Sequence, residues 1–427
     1  MSQWKGIRRI FGLLAMVFCI VTCMGLPLNA SASASSDSAS ASIPKVTIKE
    51  CSSVSYNTIM LCIEQPSTSY TIQVYRATSS TGTYKLVDSI KCSSWTTYNG
   101  ITYTTGTKGK ITCIKDSGDY YLYNTSLSFN KRYYYRIRLV NASGTKGAFS
   151  KKAAATTKLE QVSLASCYAK SSASVYLKWA QTDGAQGYYI YRKEAGGSMK
   201  QIATVSGGST LTYTDNSVQA NKKYYYRVRA YRKSGSTVKT GKVSDYLKVS
   251  TGTPTVSGSY STGSVYGPSL STSQLLEVRR VVQAFKDNYI KSSMSDYQKV
   301  LTAYNYIRYN CSYAWAGWQY NGANTAWGSL VYGEAQCSGF ARGMKALCDG
   351  IGIQCYYVHA NSSSANSSHQ WNEVCVDGKW YILDAQGGFF LVSANTYKSY
   401  TGMDWDTSGL PTCGSDHAQG GFTGSII

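Results

Sequence analysis

A nine-residue segment that occurs twice constrains the fold of this chain more than any other feature. Residues 130–138 (NKRYYYRIR) recur as residues 221–229 (NKKYYYRVR), 91 residues later in a chain of 427. A second matching pair, residues 74–76 and 190–192, is 116 residues apart, so the first copy holds 25 additional residues. We place this insertion within residues 91–119. The chain therefore contains two copies of one folding module.

Both copies show the alternation of inward and outward positions that is typical of β-strands. In the second copy, alternation directs Tyr224, Tyr226 and Val228 inward. Clusters of Gly, Ser, Asn and Asp separate the short alternating runs, a pattern typical of antiparallel sandwiches. We therefore predict two all-β sandwiches, over residues 43–157 and 158–252. The same alternation directs four arginines outward: Arg136, Arg138, Arg227 and Arg229.

The predicted sandwiches resemble fibronectin type III modules. The second copy carries the resemblance through a strand with a core tryptophan, residues 175–179, and the following strand, residues 187–192. The first copy departs from this pattern, because its matching strand, residues 59–64, has Cys62 and no tryptophan. Such modules act as spacers or binding units, so the resemblance implies no catalytic chemistry for them.

Charge is unevenly distributed along the chain. Residues 44–252 contain 30 Lys and Arg against 10 Asp and Glu, a net charge of +20, whereas residues 253–427 contain 10 against 11. A basic field attracts anionic partners and is screened over about 8 Å at physiological salt. Outside a cell, these partners are cell-wall polymers, acidic glycans or lipid headgroups, and we predict no nucleic-acid partner. The alternative is a solvated basic surface without a partner.

The N-terminus has the organisation of a secretory signal peptide. A basic start at residues 5–9 precedes the apolar run 10–26 and small-residue cleavage sites that end at Ala34. We predict a signal peptide over residues 1–34 and a flexible Ser/Ala leader over 35–42, so that the mature protein is secreted or attached to the cell surface or wall. An uncleaved anchor is the alternative, because the apolar run approaches the roughly 20 residues of a membrane span. We predict no stable membrane span after signal cleavage.

A mixed pattern of helices and strands begins after a Ser/Gly/Thr-rich linker over residues 253–273. Apolar residues recur at helical spacing from Leu275 and again from Asp296. A further helix ends near Gly350 and Gly352, residues that readily form a C-terminal cap. We predict an α+β domain over residues 274–427 with three helices and then three strands: residues 275–290, 296–309 and 338–349, followed by 355–359, 370–376 and 379–383.

One of only three histidines lies in a predicted β-hairpin. Asp377 and Gly378, between two alternating runs, are a strong signal for a two-residue turn. With that turn, the numbers of opposed residues sum to 755, so Trp371 faces Asp384. His369 precedes Trp371 by two residues and therefore shares a sheet face with Asp384, within side-chain reach. A neighbouring carboxylate orients the imidazole and stabilises its protonated form, as a general base requires.

A cysteine with the context of a nucleophile precedes this hairpin. In residues 333–341 (GEAQCSGFA), Cys337 lies between a glycine-containing loop and a helix-forming run. The partial positive charge at a helix N-terminus favours a thiolate, the reactive form of cysteine. Cysteines of secreted proteins are more often buried or disulfide-bonded. The combination of Cys337 with His369 and Asp384 reverses that expectation.

These residues and their flanking motifs resemble the transglutaminase-like superfamily, cysteine enzymes with a papain-like core. The resemblance covers about residues 274–412 and includes the WNEV strand and the DGKW turn of the hairpin. It implies that Cys337 is the nucleophile, His369 the base and Asp384 the residue that orients His369. The predicted architecture is thus two fibronectin type III-like sandwiches followed by a papain-like α+β domain.

Two positions depart from the superfamily pattern without removing a catalytic group. Ser338 stands where many members have Glu or Gln, and Ala385 follows the aspartate where Pro is common. The donors that would stabilise an oxyanion are not fixed by the motif. The Cys337 backbone N–H is one candidate, and Trp327 and Gln336 are two others.

Other chemistries have little support in the sequence. We find no paired Cys-x-x-Cys motif, no HExxH and no phosphate-binding glycine loop, so we predict no metal and no cofactor. His359 and His417 lack a comparable context. Besides the signal peptide and Cys337, ten cysteines remain, an even number that permits disulfides. Cys51 with Cys62 and Cys92 with Cys113 are sequence-near pairs to test first, whereas Cys348, Cys355 and Cys375 are equally consistent with buried thiols.

Together these features predict a secreted cysteine enzyme that attacks the amide carbonyl of a peptide or protein and forms a thioester on Cys337. We favour hydrolysis by a peptidase, because water needs no second binding site. Acyl transfer to an amine, as in protein-glutamine cross-linking, begins with the same intermediate and is the alternative. A non-catalytic surface-binding protein with a papain-like fold is the alternative from a different class. The basic modules would attach the protein to an anionic cell-wall polymer or glycan.

Overall fold

The computed structural model describes residues 42–98, 100–260, 265–315 and 322–426. The predicted signal peptide, and all but one residue of the predicted leader, lie outside the described residues. From Pro44 onward the chain packs as one unit. Within the described part of the chain, no helix is both long enough and apolar enough to cross a membrane.

Ten strands form the first β-region: β1 (Ile48–Ser55), β2 (Thr58–Glu64), β3 (Thr71–Ala77), β4 (Lys85–Lys91), β5 (Thr96–Tyr98), β6 (Ile101–Thr105), β7 (Ile111–Asp116), β8 (Asp119–Asn124), β9 (Arg132–Val140) and β10 (Ala153–Thr156). They make two antiparallel sheets, with the orders β1-β2-β8-β7-β6-β5 and β10-β9-β3-β4. Fully buried side chains such as Leu61, Val74 and Tyr135 come from both sheets.

The 25 additional residues of the first copy build strands at one edge of the larger sheet. Strands β5, β6 and β7 all lie within residues 91–119. The loop before β7 is held by the buried Asp88 carboxylate, which accepts hydrogen bonds from the backbone N–H groups of Lys108, Lys110 and Ile111 at 2.8, 2.7 and 3.0 Å. A buried carboxylate with these partners ties the added strands to the body of the module.

Eight strands form the second β-region: β11 (Leu164–Ser171), β12 (Ser174–Trp179), β13 (Gly187–Glu194), β14 (Lys200–Ser206), β15 (Thr212–Asp215), β16 (Lys223–Ser234), β17 (Thr237–Thr240) and β18 (Leu247–Ser250). One sheet has the order β11-β12-β15 and the other β14-β13-β16-β17, with β18 also paired to β16. Trp179 is 1% exposed and packs against Tyr188 at 5.2 Å between ring centroids. The alternation predicted for residues 224–230 is confirmed, since Tyr224, Tyr226 and Val228 are buried and the intervening side chains are half-buried.

The remainder of the chain is an α+β unit, which confirms the predicted fold class. Its helices are α1 (Thr272–Tyr289), α2 (Asp296–Asn310), α3 (Cys337–Ile351) and α4 (Ala394–Thr401), and a π-helix spans Gly328–Tyr332. Two short strands, β19 (Ser312–Tyr313) and β20 (Glu334–Ala335), pair in parallel. An antiparallel sheet follows in the order β21 (Cys355–His359), β22 (Gln370–Val376), β23 (Lys379–Asp384), β24 (Phe389–Val392) and β25 (Gly421–Phe422).

The described parts of the segment predicted as a linker, residues 253–260 and 265–273, pack into the α+β unit. Val256 and Tyr266 are buried in the same core as α1 and α3, and the Tyr266 hydroxyl donates to Asp349 Oδ2 at 2.7 Å. The second β-region reaches the same helices, because Tyr168 is part of that core and Lys178 Nζ donates to Asn310 O at 3.1 Å. The second sandwich is therefore docked on the α+β unit and is not a separate spacer.

All eleven described cysteines are thiols. On the paired strands β1 and β2, Cys51 faces Leu61 and Cys62 faces Glu50, so the Cys51 and Cys62 side chains point to opposite sheet faces and cannot bridge. Cys92 and Cys113 are buried neighbours, and burial raises the pKa of both thiols, to about 12 for Cys92.

Candidate active site

A two-residue turn fixes the register of the hairpin that carries two of the predicted site residues. Asp377 and Gly378 have φ values of 50° and 78°, the left-handed conformation that a tight hairpin turn requires. Val374 pairs with Tyr381, and the ladder keeps the predicted sum of 755 at every pair from β22 to β23. This register brings His369, just before β22, beside the last residue of β23.

The imidazole and the carboxylate form a buried hydrogen-bonded pair. His369 Nε2 lies 2.7 Å from Asp384 Oδ2, and the two residues are 7% and 2% exposed. Asp384 also accepts hydrogen bonds from the Tyr397 hydroxyl, to Oδ2 at 2.9 Å, and from the Gly387 backbone N–H, to Oδ1 at 2.7 Å. Because Asp384 occupies Nε2 of His369, the other ring nitrogen, Nδ1, is left for the thiol.

Electrostatics favour an ion pair between these two groups. Burial by itself lowers the pKa of His369, but the charge and hydrogen bond of Asp384, together with Cys337, outweigh burial and raise that pKa to about 10. Burial by itself raises the pKa of Asp384, but His369, Gly387 and Tyr397 hold it below its usual range. At neutral pH the site therefore holds an imidazolium against a carboxylate.

Cys337 is the first residue of helix α3 and is half-buried. Its Sγ lies 3.6 Å from Ser368 O, next to His369 in sequence, and its side chain is a hydrogen-bonding neighbour of the imidazole. The side chain of the N-cap residue, Gln336, makes no capping hydrogen bond to the first backbone N–H groups of the helix. The thiol thus lies at the positive end of a helix and beside a histidine.

An aromatic layer covers the His369–Asp384 pair. The Trp371 ring stacks on the His369 ring at 5.9 Å between centroids, and it packs against Tyr397 at 5.0 Å and Trp405 at 5.1 Å. Tyr397 lies on α4 and is fully buried. Sequence reasoning missed Tyr397, because a single tyrosine 13 residues after Asp384 shows no local pattern that points to the carboxylate. The layer excludes water from the pair and fixes the ring orientation.

The three candidate oxyanion donors differ in whether their N–H groups already have a hydrogen-bond acceptor. The Trp327 indole N–H, the only donor of that side chain, is engaged by Glu277 Oε2 at 2.6 Å. We therefore drop the Trp327 side chain as an oxyanion donor. The Gln336 backbone N–H donates to Ala323 O at 2.9 Å, which leaves only the Gln336 side chain for that role. The Cys337 backbone N–H, at the helix start, stays the best placed of the three.

Two tyrosines lie next to the nucleophile. Burial and the neighbouring Cys337 charge raise the pKa of Tyr357, against the effect of Arg342, to about 12. The Arg342 guanidinium lies 4.7 Å from the centroid of the Tyr357 ring. Burial and Cys337 also raise the pKa of Tyr313. Both tyrosines stay neutral at physiological pH, and the Tyr357 hydroxyl donates a hydrogen bond to Gln370 Oε1.

The other two histidines lie in separate surroundings. His359 Nδ1 is 2.6 Å from Ala360 O, and the His417 ring stacks on Tyr297 at 4.9 Å. Among the described residues, no group of three or more His, Cys, Asp and Glu side chains is placed to hold a metal ion.

A comparison with protein families bears on this constellation. Residues 283–385, which contain Cys337, His369 and Asp384, match the model of the Transglutaminase-like superfamily. The α+β unit carries a transglutaminase-like domain. A curated relative, the mouse (Mus musculus) protein named Kyphoscoliosis peptidase, is 29% identical over 75 residues. That match covers 15% of this chain and 11% of the mouse protein, so the chain spans a small part of the relative's length.

Solved structures similar to this chain contain fibronectin type III domains. The FN1-FN3 domains of chicken CNTN1 are 16% identical over 48% of this chain and 65% of theirs, with a TM-score of 0.21. A two-domain fibronectin type III segment of chicken tenascin is 12% identical over 48% of this chain and 96% of its own, with a TM-score of 0.26.

Proposed function

We propose that this protein is a cysteine enzyme that cleaves amide bonds of peptides or proteins through a thioester on Cys337. The observation that carries the proposal is the arrangement of a half-buried thiol at a helix start, next to an imidazole that is hydrogen-bonded to Asp384. A structural cysteine has no need of a buried ion pair beside it.

The geometry supports the following chemistry. Cys337 Sγ attacks the amide carbonyl carbon as a thiolate, paired with the His369 imidazolium, and the carbonyl oxygen becomes an oxyanion near the Cys337 N–H. The His369 imidazolium gives its Nδ1 proton to the departing amine, which leaves a thioester. A water molecule then attacks the thioester while neutral His369 takes one of its protons. The Cys337 thiolate leaves, so the carboxylic acid is released and the thiolate–imidazolium pair is restored. Asp384 keeps the ring oriented throughout.

The second step decides between hydrolysis and transfer. We favour hydrolysis because water needs no further site, whereas a transferase must admit an amine and exclude water. Incubation of the enzyme with a glutamine-containing peptide, with and without a primary amine, separates the two by mass. Cleavage with new N-termini supports a peptidase. Incorporation of the amine without cleavage, lost in Cys337→Ala, supports the transferase instead.

A thiol alkylator tests whether the protein is an enzyme at all. We expect Cys337 to label fastest among the thiols of the native protein and its labelling rate to fall in His369→Ala. The half-buried Cys375 is the internal reference, read in the same mass spectrum. If Cys337 labels no faster than Cys375, with a rate independent of His369, a non-catalytic surface-binding protein becomes the better account.

We also propose that the protein is secreted and that its β-regions attach it to an anionic cell-wall polymer or glycan. Support comes from the net charge of +20 over residues 44–252 and from outward arginines on β9 and β16. Arg136 and Arg227 lie on the outward faces of these strands and are half-buried, with their guanidinium groups over the rings of Tyr84 and Tyr246.

Binding of the full chain to purified cell walls tests the attachment. We expect it to weaken as salt rises and to weaken further in the double variant Arg136→Gln, Arg227→Gln. The matched control is Lys291→Gln, Lys379→Gln, which removes two exposed charges from the α+β unit. Binding that is insensitive to salt, or equally reduced in both double variants, contradicts the proposal.

A further inference from the structure

We propose that the open edge of strand β21 binds an extended segment of the substrate peptide, which pairs with the strand as an additional β-strand and runs to Cys337. The inference rests on the proposed function for the reacting group. It adds the site that holds the polypeptide beside that group.

Strand β21 is the terminal strand of its sheet. Cys375 N donates to Gln354 O at 3.0 Å and Ala360 N donates to His369 O at 3.0 Å. Hydrogen-bonded and non-hydrogen-bonded pairs alternate in an antiparallel ladder. The backbone groups of the even-numbered residues from Gln354 to Ala360 therefore point towards β22. No other described segment provides a backbone partner on the far side of β21. The unpaired backbone groups, which form a template for another strand, belong to Cys355, Tyr357 and His359.

A cavity of about 690 Å³ follows the first half of this edge. It is lined by the start of β21, by residues 257–259 and, at what we call its floor, by Lys345 and Asp349 of α3. The floor is electrically balanced, because Lys345 Nζ lies 2.5 Å from Asp349 Oδ1. Tyr356 and Trp380, with ring centroids 5.2 Å apart, add an aromatic surface. A groove without net charge beside unpaired backbone groups suits a polypeptide strand better than an anion.

The second half of the same edge lies beside the nucleophile. Tyr357 is close enough to Cys337 to be affected by its charge. Ser368 O lies 3.6 Å from Cys337 Sγ. The next residue, His369, accepts a backbone hydrogen bond from Ala360, just after the end of β21. The Arg342 guanidinium of α3 lies over the Tyr357 ring, so the second half of β21 lies along the part of α3 that begins at Cys337. At about 3.3 Å per residue, the five residues of β21 span about 16 Å, so the paired segment extends about five residues from the scissile amide.

Backbone methylation tests this pairing directly. An added strand bonds to an edge through every second residue only, so its two sets of N–H groups are not equivalent. The full chain with Cys337→Ala is first screened against a decapeptide library with glutamine fixed at the centre. The tightest binder is then made in two forms, each N-methylated at one of the two alternating sets of backbone N–H groups. We expect one form to bind at least tenfold more weakly and the other to change less than threefold. Equal weakening of both forms, or a library without a binder, overturns the proposal.

Filling the groove provides a second readout. We expect Ser257→Trp, in the Cys337→Ala chain, to weaken decapeptide binding at least tenfold, because the new ring fills part of the cavity that borders β21. The matched control is Ser236→Trp, at an exposed serine of a distant hairpin. If both tryptophan variants bind the decapeptide with equal affinity, the proposed peptide site is wrong. Binding of chitohexaose in the groove without any peptide binding also contradicts it.

The failure of this inference is distinguishable from the failure of the proposed function. The peptide measurements need no turnover, because Cys337 is absent from the protein used. Normal alkylation of Cys337 in the native chain, with no register-dependent peptide binding, rejects the edge site alone. Register-dependent binding without enhanced alkylation supports the edge site and rejects the enzyme.

Discussion

At the residue scale, the protonation of His369 depends on one carboxylate. Asp384 overcomes the effect of burial and raises the pKa of His369 to about 10. We therefore expect Asp384→Asn to lower the pKa of His369 and to reduce kcat/KM by about 10²- to 10⁴-fold, because the ring loses both charge and orientation. An NMR titration of the ring signals measures the shift.

The chain's two other histidines are the internal controls for that titration, since they lie in separate surroundings. Their ring signals should be unaffected by the substitution. A His369 pKa that stays near 10 in Asp384→Asn would contradict the role given to the carboxylate.

Glu373 is a buried carboxyl that the proposed mechanism does not use. It is 2% exposed, its Oε2 has no hydrogen-bond partner among the described residues, and burial raises its pKa to about 6. The pKa in the folded protein lies above the ordinary value of 4.5. Ionisation of Glu373 therefore lowers the free energy of unfolding increasingly between pH 4.5 and pH 6, and by a constant amount above pH 6. We expect Glu373→Gln to raise the free energy of unfolding at pH 7 by about 2 kcal/mol.

Urea unfolding across pH measures this effect. The advantage of Glu373→Gln should vanish below pH 4.5, where the native carboxyl is protonated. Glu50→Gln, at an exposed position of β1, is the control and should show no such pH-dependent gain. A gain of equal size at pH 4 and pH 7 would argue for a packing effect instead.

At the element scale, the β22–β23 hairpin positions both His369 and Asp384. A Cβ on Gly378 meets no atom within 4 Å, so only its φ of 78° opposes a side chain. We expect Gly378→Ala to lower the free energy of unfolding by about 1 kcal/mol and to leave kcat/KM unchanged. Lys379→Ala, at the exposed neighbouring position, is the control. A large loss of activity with unchanged stability would show that the turn itself takes part in catalysis.

This hairpin also shows why part of the site follows from the sequence. A two-residue turn sets the register, and the two-residue period of a strand sets the face, so local pattern alone brings His369 to Asp384. Contacts between distant segments leave no such pattern. The Tyr397 hydroxyl on Asp384 and the capture of the Trp327 N–H by Glu277, 50 residues earlier, became visible only in the structure.

At the scale of the whole molecule, the second sandwich and the α+β unit share a core. Tyr168 of β11 is 3% exposed and belongs to the cluster that contains α1, α2 and α3. A linker composition rich in Ser, Gly and Thr gave no sign of this docking, because burial of Val256 and Tyr266 depends on surfaces far away in sequence. Sequence patterns thus predicted the modules and missed their packing.

Shared packing predicts cooperative unfolding. We expect calorimetry to show the second sandwich and the α+β unit melting in one transition, which Tyr168→Ala shifts to lower temperature as a whole, with a loss of about 3–5 kcal/mol. Tyr246→Ala, at a tyrosine that is 52% exposed, is the control. A second transition that is untouched by Tyr168→Ala would show that the two units unfold independently.

The most direct test of the central claim is the acyl-enzyme itself. Rapid quenching in acid during turnover of a cleavable peptide, followed by mass spectrometry of the intact chain and its fragments, should reveal the acyl group on Cys337 and on no other cysteine. We expect the adduct to disappear in Cys337→Ala and to form much more slowly in His369→Ala. Peptide cleavage that persists in Cys337→Ala, or an adduct on a different residue, would contradict the account.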